Sequence, residues 1–136
     1  MFTAEQRATL RALVDRIIPP DEFPGGWEAG VGDYLARQLA GDLHAYVEIY
    51  RGGLDALDAE ARAVGGAPFA ALEPDAQDSL LARIESGAVT TPWPIDPVAF
   101  FRDACAHTAE GYYSDPANGG NRDGISWRMI GFEVRI

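Results

Sequence analysis

The two histidines, whose side chains are best suited to acid-base chemistry near neutral pH, lie far apart in this sequence. The two histidines are His44 and His107, and neither stands in a metal-binding spacing such as His-Glu-x-x-His. A stand-alone enzyme would depend on His107 acting as acid or base together with Glu110 or Asp115. The simpler interpretation makes His44 an exposed helix residue and His107 a hydrogen-bonded structural histidine.

Cys105 is the only cysteine, which excludes an internal disulfide, a c-type haem and a thiolate cluster for zinc or iron-sulfur. Cys105 and His107 do not form a predicted dyad, because residues at i and i+2 point to different sides of a helix. The serines lie in no recognisable nucleophile motif. We therefore expect a buried, inert thiol at Cys105.

A polar, glycine-rich segment runs from Asp115 to Gly124 and offers many oxygen ligands. An EF-hand register with Gly124 at the sixth position puts Ile130 at the twelfth, where calcium requires a bidentate Glu. A nucleotide cradle would need a preceding strand and a Gly-x-Gly-x-x-Gly or Gly-Lys-Ser/Thr pattern. Because Asn, Asp and Gly bond nearby backbone and accept positive φ angles, we expect an ordered loop instead.

The region around this loop is rich in the residue types that concentrate in interface cores. Those residues are Tyr112, Tyr113, Trp127, Arg128, Met129 and Phe132. For each of them, packing in the chain's own core and contact with a partner protein both remain open. Arg122 is expected to pair with a nearby carboxylate or to anchor a partner. The candidate carboxylates are Glu110, Asp115 and Asp123.

Composition limits the classes of partner that this chain can have. Its 136 residues suit one domain, expected to span 1–136, and a hydrophobic fraction of 47% is enough for a packed core. The net charge is -10, and scattered arginines supply every basic residue, so nucleic-acid and anionic-membrane binding are disfavoured. No apolar run is long enough for membrane insertion, and no export signal is visible at the N-terminus.

Hydrophobic spacing predicts an all-α domain of about five helices, with no alternation typical of strands. The first runs from about residue 4 to 18, with a Thr3–Gln6 capping box and a stop at Pro19-Pro20. The others are expected from Val31 to Gly41, from Leu43 to about Val64, over about 74–86, and from Asp96-Pro97 to near Gly111 or Tyr113. Gly52-Gly53 predicts a kink or a close helix crossing. A long loop and a short helical turn around 127–132 complete the predicted fold.

Three blocks of residues resemble the gluconate 2-dehydrogenase subunit 3 family. They are His107 to Pro116, Gly119-Gly-Asn-Arg-Asp-Gly124 and Trp127-Arg-Met-Ile-Gly-Phe132. The opening stretches Thr3–Arg7, Asp15–Pro19 and Ala29–Tyr34 look like that family's first helices, so the resemblance covers nearly the whole chain. The residues assigned to this motif and to partner contact are His107, Glu110, Gly111, Tyr112, Tyr113, Asp115, Gly119, Gly120, Asn121, Arg122, Asp123, Trp127, Met129 and Phe132.

The resemblance implies an accessory role in an oxidoreductase complex. Members of that family pair with a large FAD-containing dehydrogenase subunit of the glucose-methanol-choline type, often with a cytochrome c subunit as well. The large subunit would hold FAD and oxidise a sugar or alcohol, while this chain would hold no cofactor, metal or catalytic residue. The alternatives are an assembly or export escort that is dispensable for turnover and, more remotely, a stand-alone acid-base enzyme.

The resemblance to this family also bears on the cellular compartment. Members of the family often carry a twin-arginine leader, which this sequence lacks. We expect a cytoplasmic protein as the sequence stands, or a periplasmic one if a leader has been removed or the partner carries it.

Overall fold

The computed structural model describes residues 1–20 and 24–113. These residues form five α-helices and two short 3-10 helices, with no strand among them. The α-helices are α1 (Ala4–Ile17), α2 (Val31–Ala40), α3 (Val47–Gly65), α4 (Pro74–Glu85) and α5 (Pro97–Tyr112). The predicted all-α class is therefore confirmed. The loop predicted over 115–124 and the helical turn predicted over 127–132 lie outside the described residues.

The two 3-10 helices are the main departure from the predicted elements. One spans His44–Tyr46, where the sequence predicted the first turn of the third α-helix, and the other spans Phe69–Ala71, where no helix was predicted. A tighter 3-10 turn is common where one helix gives way to another. The α-helical hydrogen-bond pattern of α3 therefore begins only at Val47.

The start of α1 follows the predicted capping box. The Gln6 backbone N–H donates to Oγ1 of Thr3 at 3.0 Å, and the Thr3 backbone N–H donates to Oε1 of Gln6 at 2.9 Å. Two amide groups that the first helical turn would otherwise leave unpaired are satisfied in this way. The helix ends at Ile17, just before the two prolines.

The core is formed by the inward faces of all five helices. On α1, Leu10, Leu13 and Val14 are buried as predicted, whereas Ile17 is only partly buried. The largest side chains that are fully enclosed include Tyr50, Phe69 and Tyr112. No helix among the described residues has the length and apolar content needed to cross a bilayer.

Helices α3 and α5 cross closely at Gly53. A Cβ atom at Gly53 would collide with the ring of Phe100, and one at Gly52 would lie 3.2 Å from Cγ of Pro94. A glycine in a helix interior costs about 1 kcal/mol relative to alanine, but a larger residue at position 53 would need the space that the Phe100 ring occupies. The close crossing predicted from the Gly52-Gly53 pair is confirmed.

A buried carboxylate fastens the link between α4 and α5 to helix α3. Glu60 is 1% exposed and accepts the backbone and hydroxyl hydrogens of both Thr90 and Thr91, with the hydroxyl oxygens at 2.7 and 2.6 Å. The indole Nε1 of Trp93 lies 3.5 Å away. Burial raises the pKa of Glu60, but the hydrogen bonds from Thr90 and Thr91 outweigh it and lower the pKa to about 2.

We predict that Leu13→Ala destabilises the chain by about 2 to 5 kcal/mol, because Leu13 is fully buried and truncation leaves a cavity. Urea unfolding of the purified chain measures this free energy. Val64→Ala, at a position that is 47% exposed, is the control and should change it by less than about 0.5 kcal/mol. A loss at Leu13 no larger than the loss at Val64 would contradict the prediction.

We predict that Glu60 makes stability depend on pH in the acid range. Its pKa falls from 4.5 in the unfolded chain to about 2 in the folded one, so its contribution is fully present above pH 4.5. That contribution is lost as the pH falls through about 2. The difference in unfolding free energy between wild type and Glu60→Gln should therefore shrink between pH 5 and pH 2.

Urea titrations of the two proteins across this range measure the difference. Glu85→Gln, an exposed residue near the end of α4, controls for the loss of one negative charge. A pH-independent gap between wild type and Glu60→Gln would show that the ionised carboxylate is not what holds the link.

Candidate partner-contact site at the end of helix α5

Helix α5 brings the first residues of the recognised motif to one end of the domain. Asp96 caps the helix by accepting the backbone N–H of Val98 at 3.0 Å, and Pro97 occupies the first helical position. At the other end, the Tyr113 N–H donates to the Ala109 carbonyl at 3.0 Å. Residues 107 to 112 thus lie in the last two turns of a helix that is capped at both ends, and Tyr113 is its C-cap residue.

His107 is a buried, hydrogen-bonded residue, as the simpler interpretation of the sequence predicted. It is 6% exposed, and its Nδ1 lies 2.9 Å from the hydroxyl oxygen of Tyr50 on α3. Burial raises the pKa of Tyr50, and the nearby carboxylates of Asp103 and Glu110 raise it further. The hydroxyl therefore stays protonated and can donate to Nδ1 when that nitrogen is the unprotonated one.

Aromatic rings enclose the same histidine. The ring of Tyr46 meets the His107 ring edge-on at a centroid distance of 4.8 Å, and the Tyr50 ring is stacked at 5.8 Å. Such contacts add to the hydrogen bond in fixing the orientation of the imidazole. The contacts of His107 are therefore with the core of this chain.

Gly111 lets α5 approach α2. A Cβ atom at Gly111 would lie 2.7 Å from Cδ1 of Tyr34, so a side chain there would force the helices apart. Burial raises the pKa of Tyr34, and the charge of Glu110 raises it further. One residue further on, Tyr112 is 1% exposed and meets the Tyr113 ring edge-on at 5.2 Å.

The five described residues of the predicted contact set thus divide into two groups. His107, Gly111 and Tyr112 are buried within the chain, whereas Glu110 is exposed and Tyr113 is 54% exposed. The other predicted residues lie outside the described part: Asp115, Gly119, Gly120, Asn121, Arg122, Asp123, Trp127, Met129 and Phe132. Partner contact through this set stays a prediction, and Glu110 and Tyr113 are the described members whose side chains reach the surface.

The remaining candidates for chemistry are placed as follows. His44 is exposed as predicted, although it lies in a 3-10 turn, with Nδ1 3.4 Å from the Leu39 carbonyl. The predicted burial of Cys105 is wrong in degree, because the residue is half-buried along a groove beside Phe101. Burial, followed by the charge of Glu85, raises the pKa of this thiol, which favours its less nucleophilic form.

Among residues 1–20 and 24–113, no three His, Cys, Asp or Glu side chains lie close enough to hold a metal ion. In that part of the chain no hydrogen bond joins His107 to Glu110, and the bond of His107 goes to Tyr50.

Sequence reasoning missed the partners of His107. A spacing of four residues marks Tyr46 and Tyr50 as members of the apolar face of a helix, which describes their rings but not their hydroxyls. The available signal was that two tyrosines four residues apart place two polar groups on one buried face, where each hydroxyl needs a partner.

These features define a class: a small all-helical protein in which the polar groups at the end of α5 serve to join helices. Residues 4–133 match the profile of the family described as gluconate 2-dehydrogenase subunit 3. The chain therefore belongs to the gluconate 2-dehydrogenase subunit 3 family, and the resemblance read from the sequence is confirmed. The family's name points to a subunit of an oxidoreductase complex. No curated protein and no solved structure matches the chain.

We predict that Tyr50→Phe lowers the unfolding free energy by about 1 to 3 kcal/mol, because it leaves the buried Nδ1 of His107 without its partner. Tyr113→Phe, which removes a hydroxyl from an exposed ring, is the matched control and should have little effect. Urea unfolding at pH 7 compares the two. Equal stability of the two variants would mean that the Tyr50–His107 hydrogen bond contributes nothing to the fold.

Proposed function

We propose that this chain is a non-catalytic accessory subunit of an FAD-dependent sugar or alcohol dehydrogenase of the glucose-methanol-choline type. Its role in the complex is to stabilise the large catalytic flavoprotein.

The observation that carries the proposal is membership of a family named for a subunit of gluconate 2-dehydrogenase. A family named for one subunit implies partner subunits, and the flavoprotein is the partner we assign.

The geometry of His107 supports a non-catalytic role. A general acid or base must reach the proton that it transfers, either directly or through one water molecule. The His107 ring is 6% exposed, lies against Tyr46 and is hydrogen-bonded to Tyr50. An imidazole enclosed in this way is well suited to hold α5 against α3 and poorly suited to meet a substrate.

In the proposed complex the flavoprotein carries out the chemistry and this chain provides a contact surface. The flavoprotein binds FAD and takes a hydride from a hydroxyl-bearing carbon of the substrate, and a cytochrome c subunit, where present, takes the electrons onward. This chain supplies surface rather than a cofactor. Its contact with the flavoprotein runs through the motif that starts on α5, in which Glu110 and Tyr113 present exposed side chains.

An exposed aromatic ring beside a carboxylate suits such a contact. Tyrosine is among the residues that carry most of the binding energy in protein interfaces, because its ring buries a large area at little entropic cost. The Tyr113 ring also packs edge-on against the buried ring of Tyr112, with a centroid distance of 5.2 Å. A side chain that is already oriented loses less conformational entropy on binding.

We predict that co-expression with this chain raises the turnover per bound FAD of its flavoprotein partner.

We also predict that Tyr113→Ala weakens the complex by about 1 to 2 kcal/mol, or roughly five- to thirtyfold in Kd, without changing the melting temperature of the free chain. Val64→Ala, which removes a similarly exposed apolar side chain from α3, is the control for binding. Calorimetry measures Kd, and activity normalised to the flavin absorbance measures turnover.

The outcomes separate the proposal from its alternatives. Unchanged turnover per FAD, with a change only in yield or FAD loading, would replace the accessory role with that of an assembly escort. Sugar oxidation by the isolated chain, or recovery of stoichiometric flavin from it, would make it an enzyme and overturn the proposal.

A further inference from the structure

A cleft of about 580 Å³ opens between α1, the turn over residues 25–30 and the first turn of α2. We call it the α1–α2 cleft. Its polar and aromatic lining residues are Arg7, Arg11, Asp15, Trp27, Glu28 and Asp33. Clefts that hold small molecules commonly have volumes of about 300 to 1,000 Å³. Among the described residues, none of those lining the cleft belongs to the contact site at the end of α5.

The turn that forms one wall of the cleft is fastened to α1 by several hydrogen bonds. The Trp27 backbone N–H donates to Oδ1 of Asp15 at 3.1 Å, and the Gly26 N–H donates to the Ile18 carbonyl at 2.9 Å. The Val31 N–H in turn donates to the Gly26 carbonyl at 3.1 Å, which ties the turn to the start of α2. The position of Trp27 relative to α1 is therefore fixed.

Glycines make this arrangement possible. A Cβ atom at Gly25 would lie 2.9 Å from Oδ1 of Asp15, and one at Gly26 would lie 2.8 Å from Cγ1 of Val14. The turn consequently packs on α1 with no room for side chains at either position. A wall held this tightly is pre-organised, which lowers the entropic cost of binding a ligand.

The indole of Trp27 is also held in place. A Cβ atom at Gly32 would lie 2.7 Å from Cζ3 and 2.8 Å from Cη2 of Trp27, so the six-membered ring rests directly on the backbone of α2. The side chain is half-buried and contributes to the lining of the cleft. Its π surface carries partial negative charge on the face, which attracts weakly positive C–H groups.

The charged groups of the cleft include both hydrogen-bond donors and acceptors. Arg7 and Arg11 are four residues apart on α1, an unfavourable placement for two like charges, and neither forms an ion pair with any described residue. Asp15, Glu28 and Asp33 line the cleft with carboxylates, of which Asp15 already accepts the Trp27 N–H and Asp33 already has an interaction partner. The two positive and three negative side chains among the described lining residues give a formal charge of -1, so they offer no net attraction for an anion.

We propose that the α1–α2 cleft binds a neutral carbohydrate, with the C–H face of the sugar on Trp27 and its hydroxyls between the arginines and the carboxylates. A hydroxyl group both donates and accepts, so it can bond a carboxylate and a guanidinium at once. A neutral polyol therefore uses both kinds of lining group without adding net charge. The inference rests on the cleft alone and does not depend on the accessory role.

The test uses the full-length chain with D-glucose as a neutral probe and D-gluconate as its anionic counterpart. Backbone amide resonances of Glu28 and Gly32, followed by NMR, should shift saturably with D-glucose at millimolar concentrations. Arg11→Gln and Glu28→Gln should each weaken binding about tenfold, as the loss of a charge-assisted hydrogen bond implies. Both residues are exposed, so the melting temperature should hold.

Arg62→Gln is the matched control, because Arg62 is an exposed arginine on α3 that pairs with Asp58 outside the cleft. Its affinity for D-glucose should equal that of the wild type. Absence of a saturable shift with D-glucose would overturn the proposal. So would binding of D-gluconate ten times tighter than D-glucose, which would identify a carboxylate site, or an Arg11→Gln effect on flavoprotein binding alone, which would identify a protein interface.

Discussion

The close approach of α5 to α3 and α2 is the constraint on which much of this structure depends. At Gly53 the Phe100 ring occupies the space of a side chain, and at Gly111 the Tyr34 ring does the same. Two helices that meet at bare backbone have little freedom to slide, because any shift brings ring atoms into backbone atoms. These contacts near both ends of α5 therefore restrict its translation along its axis and its rotation about it.

The buried polar groups act on the same alignment. Near the start of α3, Tyr50 is hydrogen-bonded to His107 on α5. Near the end of α3, Glu60 is hydrogen-bonded to Thr90 and Thr91 in the segment before α5. Hydrophobic contacts tolerate small changes of register, whereas a buried hydrogen bond is lost entirely and leaves an unsatisfied group. No buried side-chain polar atom of the described residues is left without a partner, which is consistent with a single well-specified packing.

The extent to which the sequence predicted this structure depends on the range of the interactions. The Thr3–Gln6 cap, the prolines before α4 and α5 and the apolar stripes act within a few residues. They placed the helix ends to within one or two positions, except for the start of α3, which lies four residues after the predicted Leu43. The Glu60–Thr90–Thr91 cluster joins residues 30 positions apart, and its members look like ordinary surface residues in a linear sequence.

The α1–α2 cleft could not be predicted for the same reason, since Arg7, Trp27 and Asp33 come together only after the turn folds back on α1. The glycine pair at 52 and 53 is the intermediate case, in which a local signal predicted a crossing but not its partner, Phe100.

The alignment of α5 bears directly on how this family member can present a contact surface. In its last two turns His107, Gly111 and Tyr112 are buried in the core. Glu110, and Tyr113 directly after the helix, are exposed. The position of Tyr113 is therefore set by four buried side chains, those of Tyr34, Tyr50, His107 and Tyr112. A partner surface that includes Tyr113 needs no ordering of this helix on binding, because folding has already placed it. In the proposed contact, the entropic cost that flexible interface segments add to association is therefore small.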